Sequence, residues 1–307
     1  MPVDPQEIVA ALRLPPETTV ELEPLGERFG APVRATLHAE GSAAMVVLAR
    51  RDPDGERAAN HLAVMEALTN RGFPFAPKLL GVAGDAAIEE WEDGLTALNV
   101  QIDGDGLASA IDALAALHAQ ELREGLRWGA TPGDLYPEEE IPLHRLGFAA
   151  HERGPAQEAL AKARKRLLEG PFGFVHGDAT AANILFTREG PRLVDFSAAG
   201  WGHQLFDVAV FLATCGAEAE VRRELAGRYA RVRKLDPFAT INGIELATLW
   251  WGLQEQLALP RKLVETLGDD GAIEALKLAS SRVDRALRER VGNAAEAAAV
   301  RAALWPS

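Results

Sequence analysis

The residues best suited to chemistry lie in one stretch, VHGDATAANILF, from Val175 to Phe186. It places Asp178 five residues before Asn183, directly ahead of an apolar run that is typical of a strand. A turn-like segment, TREGP, and a second short strand, RLVDF, follow and reach Asp195. This pattern predicts a β-hairpin whose turn is centred near Glu189.

The predicted hairpin would place Asn183 opposite Asp195, since each lies six positions from Glu189. Side chains directly opposite each other on one face of an antiparallel pair have Cβ atoms about 5 Å apart. A carboxylate and an amide oxygen at that separation can share one Mg²⁺, which prefers a few protein oxygens together with phosphate oxygens. Asp178, on the loop before the hairpin, could face an incoming hydroxyl as a base or an orienting group. The pattern therefore predicts a metal and phosphate site.

The segments that precede this stretch are typical of a small antiparallel sheet. Three strand-like runs, TTVELEPL, PVRATLHAE and AAMVVLARR, lie between Thr18 and Arg51 and are separated by segments that contain glycine. A helix is predicted from about Asp54 to Arg71, with Gly72 placed to end it. Two more short strands, PKLLGVAG and AAIEEWE, follow the helix.

The segment EEWEDGLT, Glu89–Thr96, marks a change in composition, because most of the chain after it has the apolar spacing of helices. Examples are DALAALHAQEL, LFDVAVFLATC and GIELATLWWGLQEQLAL. We therefore predict an N-terminal lobe over residues 1–93, which contains this sheet and helix. Residues 94–307 are predicted to form a larger, mostly helical lobe. The fold class is α+β.

Composition and charge narrow the class of function. The hydrophobic fraction of 48% and the charged fraction of 25% are those of a soluble globular protein. The net charge of −13 disfavours nonspecific binding to nucleic acid and anionic membranes and would suit a cationic small molecule, although many proteins are acidic for solubility alone. Cys215, the only cysteine, excludes an internal disulfide and is predicted to lie in a helix core. With no secretory signal and no apolar run of about 18 residues, a cytoplasmic protein is expected.

The motif HGDATAANILF, followed by LVDFSAAGWGHQLFDVA, closely resembles the aminoglycoside phosphotransferase family. This family is the small-molecule branch of the protein-kinase-like fold, and the resemblance covers roughly residues 20–257. It implies a bilobal kinase-like fold and a kinase that uses ATP and Mg²⁺. The implied acceptor is a hydroxyl of a small molecule, such as an aminoglycoside or another amino or sugar alcohol.

The resemblance also implies roles for individual residues. Asp178 would be the catalytic aspartate that accepts the hydroxyl proton, and Asn183 and Asp195 would hold Mg²⁺ on ATP. His176 would brace the loop, because the nearby aspartate already fills the role in proton transfer. Asp207, at the start of an apolar helix, would anchor the backbone of the catalytic loop by accepting its N–H groups.

The first lobe follows the family pattern less closely. Arg50 and Arg51 stand where the pattern has a phosphate-binding lysine, and the register does not decide between them. Arginine can bind phosphate through two hydrogen bonds, so this replacement is compatible with function. His61 stands where the pattern has the helix glutamate that pairs with the lysine, and Glu56 is the alternative partner.

Two further segments of the first lobe are candidates for contacts with the nucleotide. The segment IEEWEDG resembles the hinge of the family, where backbone groups of Glu90, Trp91 and Glu92 would meet adenine, although backbone recognition leaves GTP open. The segment LGERFGAPV contains Gly26 and Gly30, which are either turn residues or a cover over the phosphates.

Two other functions fit parts of the pattern. A catalytically weak nucleotide-binding regulatory module would account for the departures at Arg50 and His61. A metal-dependent hydrolase would use His176 and Asp178 as ligands, but it leaves the paired Asn183 and Asp195 unexplained. The kinase accounts for more of these residues together.

Overall fold

The chain forms two compact units. The computed structural model describes residues 3–25, 32–97, 101–122 and 150–266. Unit 1 combines residues 1–129 with residues 174–201, and unit 2 combines residues 130–173 with residues 202–307. Every residue predicted to do chemistry, except Asp207, therefore belongs to unit 1. The lobe boundary near residue 93 stays a prediction.

Unit 1 contains a five-stranded antiparallel sheet with the strand order β1-β2-β3-β5-β4. Side chains alternate between the two faces of each strand, and in β2 the buried set is Val33, Ala35 and Leu37. All five strands fall within the runs that the sequence predicts. Their bounds are β1 Thr19–Pro24, β2 Val33–His38, β3 Met45–Arg50, β4 Leu79–Ala83 and β5 Ala86–Glu90.

A short helix that the sequence analysis missed, α1 (Pro5–Ala11), packs on one face of this sheet. Ile8 of α1 is fully buried in a hydrophobic cluster that includes Val47 of β3. The approach is close at Gly81 of β4, where a Cβ would lie 2.9 Å from the carbonyl oxygen of Ala11. The face of β3 that α1 covers is therefore committed to packing.

Helix α2 (Gly55–Asn70) begins and ends where the sequence predicts. The Asp54 side chain caps its start by accepting hydrogen bonds from the backbone N–H groups of Glu56 and Arg57. Gly72 follows its end with a φ of +63°, a left-handed conformation that glycine adopts without strain.

A second sheet in unit 1 has three strands in the order β6-β8-β9. They are β6 (Gly94–Thr96), β8 (Ile184–Thr187) and β9 (Gly190–Leu193). The hairpin predicted after Asn183 is thus present, and α3 (Gly104–His118) packs against its second strand. His118 is 3% exposed, as expected for a histidine on the apolar face of its helix.

The register of the hairpin differs from the predicted one by one position. Thr187 pairs with Gly190, so the turn has two residues and is centred between Arg188 and Glu189. The Thr187 hydroxyl donates to the Gly190 carbonyl oxygen at 2.8 Å and helps to close this tight turn. The prediction that Asn183 lies opposite Asp195 is therefore wrong. The residue that faces Asn183 is Val194, whose N–H donates to the Asn183 carbonyl oxygen at 3.0 Å.

Helices dominate the described part of unit 2. Its helices are α4 Ala150–Leu168, α5 Gln204–Thr214, α6 Ala219–Arg233 and α7 Pro237–Thr266. Helix α7 packs against each of the other three. Two short strands, β7 (Phe172–Val175) and β10 (Gly200–His203), pair with each other.

Cys215, directly after α5, is buried as predicted, and burial raises the pKa of its thiol. Within the described ranges, no helix has both the length and the hydropathy needed to cross a membrane.

Candidate active site

The His-Gly-Asp motif forms a loop that depends on its central glycine. Gly177 has a φ of +81°, and a Cβ at this position would overlap the carbonyl oxygen of Ala198. Only glycine combines the left-handed conformation with such a close backbone approach. The motif therefore places Gly177, directly before Asp178, against the short segment that follows Asp195.

His176 is fully buried and connects this loop to the hairpin. Its Nε2 atom donates to the carbonyl oxygen of Val194 at 2.9 Å, which leaves Nδ1 to accept from the backbone N–H of Asp178 at 3.4 Å. Its ring lies 4.8 Å from the ring of Phe196, centre to centre. Because backbone groups use both ring nitrogens, the geometry suits the bracing role, which stays a prediction.

Asp178 and Asn183 are joined by hydrogen bonds. The Asn183 Nδ2 atom donates to the Asp178 backbone oxygen at 2.8 Å and to its Oδ2 atom at 2.9 Å. Asn183 ends a short 3₁₀ turn, Ala181–Asn183, immediately before β8. Since the amide nitrogen points at Asp178, the Asn183 Oδ1 atom is the one suited to bind a cation.

Asp195 follows β9 with a left-handed backbone conformation, φ 65° and ψ 68°. Residues other than glycine rarely adopt this conformation. The Asp195 Oδ1 atom accepts hydrogen bonds from the Ser197 hydroxyl at 2.7 Å and from the Ser197 N–H at 3.4 Å. The direction of this carboxylate is thus set by the turn after the strand rather than by the hairpin register.

Arg50, the last residue of β3, forms an ion pair with Asp195 through its Nη2 atom and the Asp195 Oδ2 atom. The two side chains are 18% and 23% exposed. Burial by itself raises the pKa of Asp195. The charge of Arg50 and the hydrogen bonds from Ser197 and Arg50 outweigh that effect and lower the pKa to about 2. Asp195 is therefore ionised at neutral pH.

Arg51 points to the other side of the sheet. Its Nε atom lies 2.5 Å from Asp85 Oδ1, and its Nη2 atom lies 3.4 Å from Oε2 of Glu7 in α1. Adjacent residues of an extended strand face opposite sides. Of the two arginines that the sequence left open, Arg50 is the one beside Asp195.

Two polar residues of α2 contact the segment after Asp195, and the sequence analysis missed both. The Arg57 Nη2 atom donates to the Ser197 hydroxyl at 2.9 Å, and the Asn60 Nδ2 atom donates to the Ala199 carbonyl oxygen at 2.8 Å. Their spacing of three residues places them on one face of the helix, which was the available signal. Arg57 thereby positions the hydroxyl that contacts the Asp195 carboxylate.

His61 and Glu89 form a buried pair between α2 and β5. His61 Nε2 and Glu89 Oε1 lie 2.8 Å apart, and the residues are 3% and 1% exposed. Glu56, the alternative partner for the strand arginine, is exposed in the first turn of α2. Arg50 therefore pairs with Asp195, and His61 pairs with Glu89.

We expect replacement of Glu89 by leucine to lower the free energy of unfolding by about 1–3 kcal/mol, because His61 would stay buried without its acceptor. Urea denaturation of the single variant measures this loss. The double variant Glu89→Leu with His61→Leu is expected to recover most of the stability, since removal of both polar partners leaves no unsatisfied group. A double variant that is no more stable than the Glu89 variant would contradict this expectation.

The predicted hinge residues begin at the end of β5. The backbone N–H of Glu90 donates to the Lys78 carbonyl oxygen at 2.9 Å, so this group serves the sheet rather than a nucleotide. The guanidinium carbon of Arg34, on β2, lies 5.1 Å from the ring centre of Trp91, within the range of a cation–π contact. The role of Glu90 and Trp91 in binding adenine stays a prediction.

Glu92 connects the hinge to the hairpin through its side chain. Arg192 of β9 donates from Nε to Glu92 Oε1 at 2.9 Å and from Nη2 to Glu189 Oε2 at 2.9 Å. Burial raises the pKa of the Glu92 carboxyl, and the charge of Arg192 offsets part of this effect. The side chain of Glu92 is thus committed to Arg192, and any contact with a nucleotide would come from its backbone.

Asn183 and Asp195 fit a cation that is held jointly with phosphate. The Asn183 Oδ1 atom and the ionised Asp195 carboxylate are hard oxygen donors of the kind that Mg²⁺ prefers. In the described part of the chain, no group of three or more His, Cys, Asp or Glu side chains could hold a metal ion by itself. A site with so few protein donors leaves the remaining positions to phosphate and water, as is usual for Mg²⁺.

The remaining predicted site residues lie elsewhere. Asp207 belongs to unit 2, where it is 2% exposed in the first turn of α5. Its role as an anchor for the catalytic loop stays a prediction. Gly26 and Gly30 lie outside the described residues.

Solved structures of several phosphotransferases share this fold. A macrolide 2′-phosphotransferase from Brachybacterium faecium is 18% identical, with a TM-score of 0.60 over 85% of this chain and 91% of that one. A choline kinase from Cryptosporidium parvum Iowa II is 16% identical, with a TM-score of 0.56 over 89% and 88%. An amicoumacin kinase in complex with AMP-PNP, Ca²⁺ and Ami is 12% identical, with a TM-score of 0.58 over 86% and 88%.

The similarity to these solved structures confirms the kinase-like fold. The family follows from a comparison of sequences. No curated protein matches the chain in sequence. The sequence model of the phosphotransferase enzyme family matches residues 22–239, which include most of the five-stranded sheet, the three-stranded sheet and the loop with Asp178. As this match spans most of the chain, the protein belongs to the phosphotransferase enzyme family.

Proposed function

We propose that this small-molecule phosphotransferase transfers the γ-phosphate of ATP, with Mg²⁺, to a hydroxyl group of a small amino alcohol or amino sugar. The observation that carries the proposal is the hydrogen-bonded pair of Asp178 and Asn183, next to the hairpin that leads to Asp195. This arrangement brings a base and two oxygen donors for a cation into one short region of unit 1.

Each residue of the candidate site would have a distinct role in phosphate transfer. The Asp178 carboxylate would accept the hydrogen bond of the acceptor hydroxyl and take its proton during transfer. Asn183 Oδ1 and the Asp195 carboxylate would hold Mg²⁺, which neutralises charge on the phosphate oxygens when it is bound. Arg50 would bind the same phosphates through its planar guanidinium group.

A nucleoside triphosphate as donor is supported by the amicoumacin kinase of the same fold, whose solved structure contains AMP-PNP. A cationic acceptor is supported by the net charge of −13, which raises the local concentration of cations around the protein. The choline kinase of the same fold acts, by its name, on an amino alcohol. We therefore favour an acceptor that carries both an amine and a hydroxyl.

The amine of the acceptor would need an acidic side chain as its partner. Glu245 of α7 is half-buried and lies 3.8 Å from Arg223, which makes it a structural ion pair first. Asp134 and the side chain of Glu255 lie outside the described residues. The class of acceptor is therefore best found by assay.

A second candidate function is a nucleotide-binding regulatory module with little catalysis. The observation that favours it is the ion pair of Arg50 with Asp195, which uses the carboxylate proposed to hold the cation. Such a module would bind a nucleotide but form no phosphate ester.

The experiment that tests the proposal measures ADP release from Mg·ATP with a panel of acceptors. The panel contains choline-like amines, aminoglycosides, amino sugars, amino acids and neutral sugars, and a reaction without acceptor serves as the control. Phosphorus NMR of the products shows whether the phosphate forms an ester, and a parallel series with GTP tests the choice of nucleotide. We expect an ester with one amine-containing class. A nucleotide-dependent rise in melting temperature with no ester for any acceptor would favour the regulatory module.

A further inference from the structure

The Asp195 carboxylate already has a cationic partner in the structure. Its Oδ2 atom is paired with Arg50, while its Oδ1 atom accepts the Ser197 hydroxyl hydrogen bond at 2.7 Å. Both oxygen atoms of the carboxylate are thus engaged. A divalent cation that approaches Oδ2 meets the positive charge of Arg50 and competes with it for this oxygen.

Of the two partners, Arg50 is the one that can be displaced without disrupting the packing around the site. Ser197 is 1% exposed, and its hydroxyl is held on the other side by Arg57 at 2.9 Å. Arg50 is 18% exposed at the end of its strand, and a long side chain at a strand end can change rotamer. The exchangeable contact is therefore the ion pair at Oδ2.

The sheet and α2 do not hold Arg50 in another position. The helix residue that would pair with a strand cation in the family pattern is His61, which is buried against Glu89 at 2.8 Å. Glu56 is exposed in the first turn of the helix. Among the described residues, Asp195 is the one acidic side chain that forms an ion pair with Arg50.

We propose that Arg50 is an internal counter-ion that keeps divalent cations off Asp195 until nucleotide phosphates draw the arginine away. This inference rests on the proposed function, because the phosphates are those of the bound nucleotide. Arginine binds carboxylate and phosphate with the same planar donors, so it can exchange one partner for the other. The exchange uncovers Asp195 Oδ2 at the moment when phosphate oxygens are present to complete the coordination of Mg²⁺.

The proposal has two thermodynamic consequences. A cation that can bind only the unpaired form of Asp195 has its apparent affinity reduced by the fraction of protein in that form. In addition, nucleotide and cation must each strengthen the binding of the other by the same factor. Removal of Arg50 is expected to abolish the reduction in cation affinity and to weaken the coupling between nucleotide binding and cation binding.

The test uses Mn²⁺ as the probe, because its binding to the nucleotide-free protein can be measured by electron paramagnetic resonance without any turnover. The variants are Arg50→Met and, as a matched control, Arg51→Met, which removes the same charge one residue further along. If about 10% of the wild-type protein has Asp195 unpaired, Arg50→Met should bind Mn²⁺ about tenfold more tightly. Arg51→Met should bind it as the wild type does, since Arg51 contacts Glu7 and Asp85 instead.

A second titration repeats the measurement with saturating AMP-PNP. In the wild type, the nucleotide should strengthen Mn²⁺ binding by a larger factor than in Arg50→Met, because the variant has no ion pair to exchange. Equal Mn²⁺ affinities of the wild type and Arg50→Met without nucleotide would overturn the inference. Arg50→Gln provides the same comparison if the methionine variant does not give a folded protein by its melting temperature.

The two proposals fail in different ways in this experiment. A wild-type protein that does not bind AMP-PNP with Mn²⁺ contradicts the proposed function and, with it, the exchange. A wild-type protein that binds AMP-PNP with Mn²⁺, while Arg50→Met shows no gain for Mn²⁺ alone, leaves the kinase intact and removes the counter-ion.

Discussion

Replacement of Asp178 by asparagine is expected to lower kcat by about 100- to 10,000-fold, the range that a general base contributes. The asparagine can still accept the hydrogen bond from Asn183 Nδ2 that Asp178 Oδ2 accepts at 2.9 Å, so the loop should keep its conformation. It cannot accept a proton from the acceptor hydroxyl. Steady-state kinetics with the acceptor found in the panel measures the loss.

The same variant should keep its affinity for Mg·nucleotide within about threefold, because Asp178 is not proposed to touch the cation. Isothermal titration with Mg·AMP-PNP checks this second half of the prediction. Asp105→Asn, which removes an equal charge from an exposed position in the first turn of α3, is the control and should show wild-type turnover. An Asp178→Asn protein with wild-type kcat would contradict the role of Asp178 as the base.

Replacement of Asp195 by asparagine is expected to affect the binding of the nucleotide as well as turnover. The variant loses the ionised carboxylate, whose pKa of about 2 keeps it charged at any working pH. Affinity for Mg·AMP-PNP should fall by about 100-fold, because loss of a charged metal ligand removes several kcal/mol of electrostatic stabilisation. Titration calorimetry with and without Mg²⁺ is the measurement.

The nucleotide without metal gives the internal control for this variant. Arg50 loses its ion pair when Asp195 becomes asparagine, so affinity for AMP-PNP in the presence of EDTA should be equal to or higher than in the wild type. Ser197→Ala keeps the carboxylate and removes one hydrogen bond to it, and a loss of about tenfold for Mg·AMP-PNP is expected there. Equal losses with and without Mg²⁺ in Asp195→Asn would argue against a role in holding the cation.

Local patterns in the sequence were sufficient to predict most elements of unit 1. Alternating apolar residues gave the strands of the large sheet, and Asp54 and Gly72 gave the two ends of α2. The helix α1 was missed because seven residues that begin with a proline carry too little helical periodicity to be recognised. Its stability comes from packing on the sheet, which no local pattern reports.

The sequence predicted which residues belong to the candidate site better than it predicted which of them contact each other. The resemblance selected Asp178, Asn183 and Asp195, but the hairpin register was wrong by one position, because a two-residue turn replaced the longer one. The pairing of Arg50 with Asp195 joins residues far apart in the chain and depends on which face of β3 each arginine occupies. His61 and Glu89 are likewise distant in the chain, and neither residue alone indicates that the two form a buried pair.

Helix α1 covers one face of the five-stranded sheet, so the residues of β3 fall into two groups that are under different selection. Val47 and Ala49 pack in the cluster with α1, whereas Leu48 and Arg50 alternate with them and face away from it. Substitutions at Val47 or Ala49 are expected to change stability, and substitutions at Arg50 are expected to change the ion pair with Asp195. A lineage can therefore accumulate compensating changes between α1 and β3 without altering the residues of the candidate site.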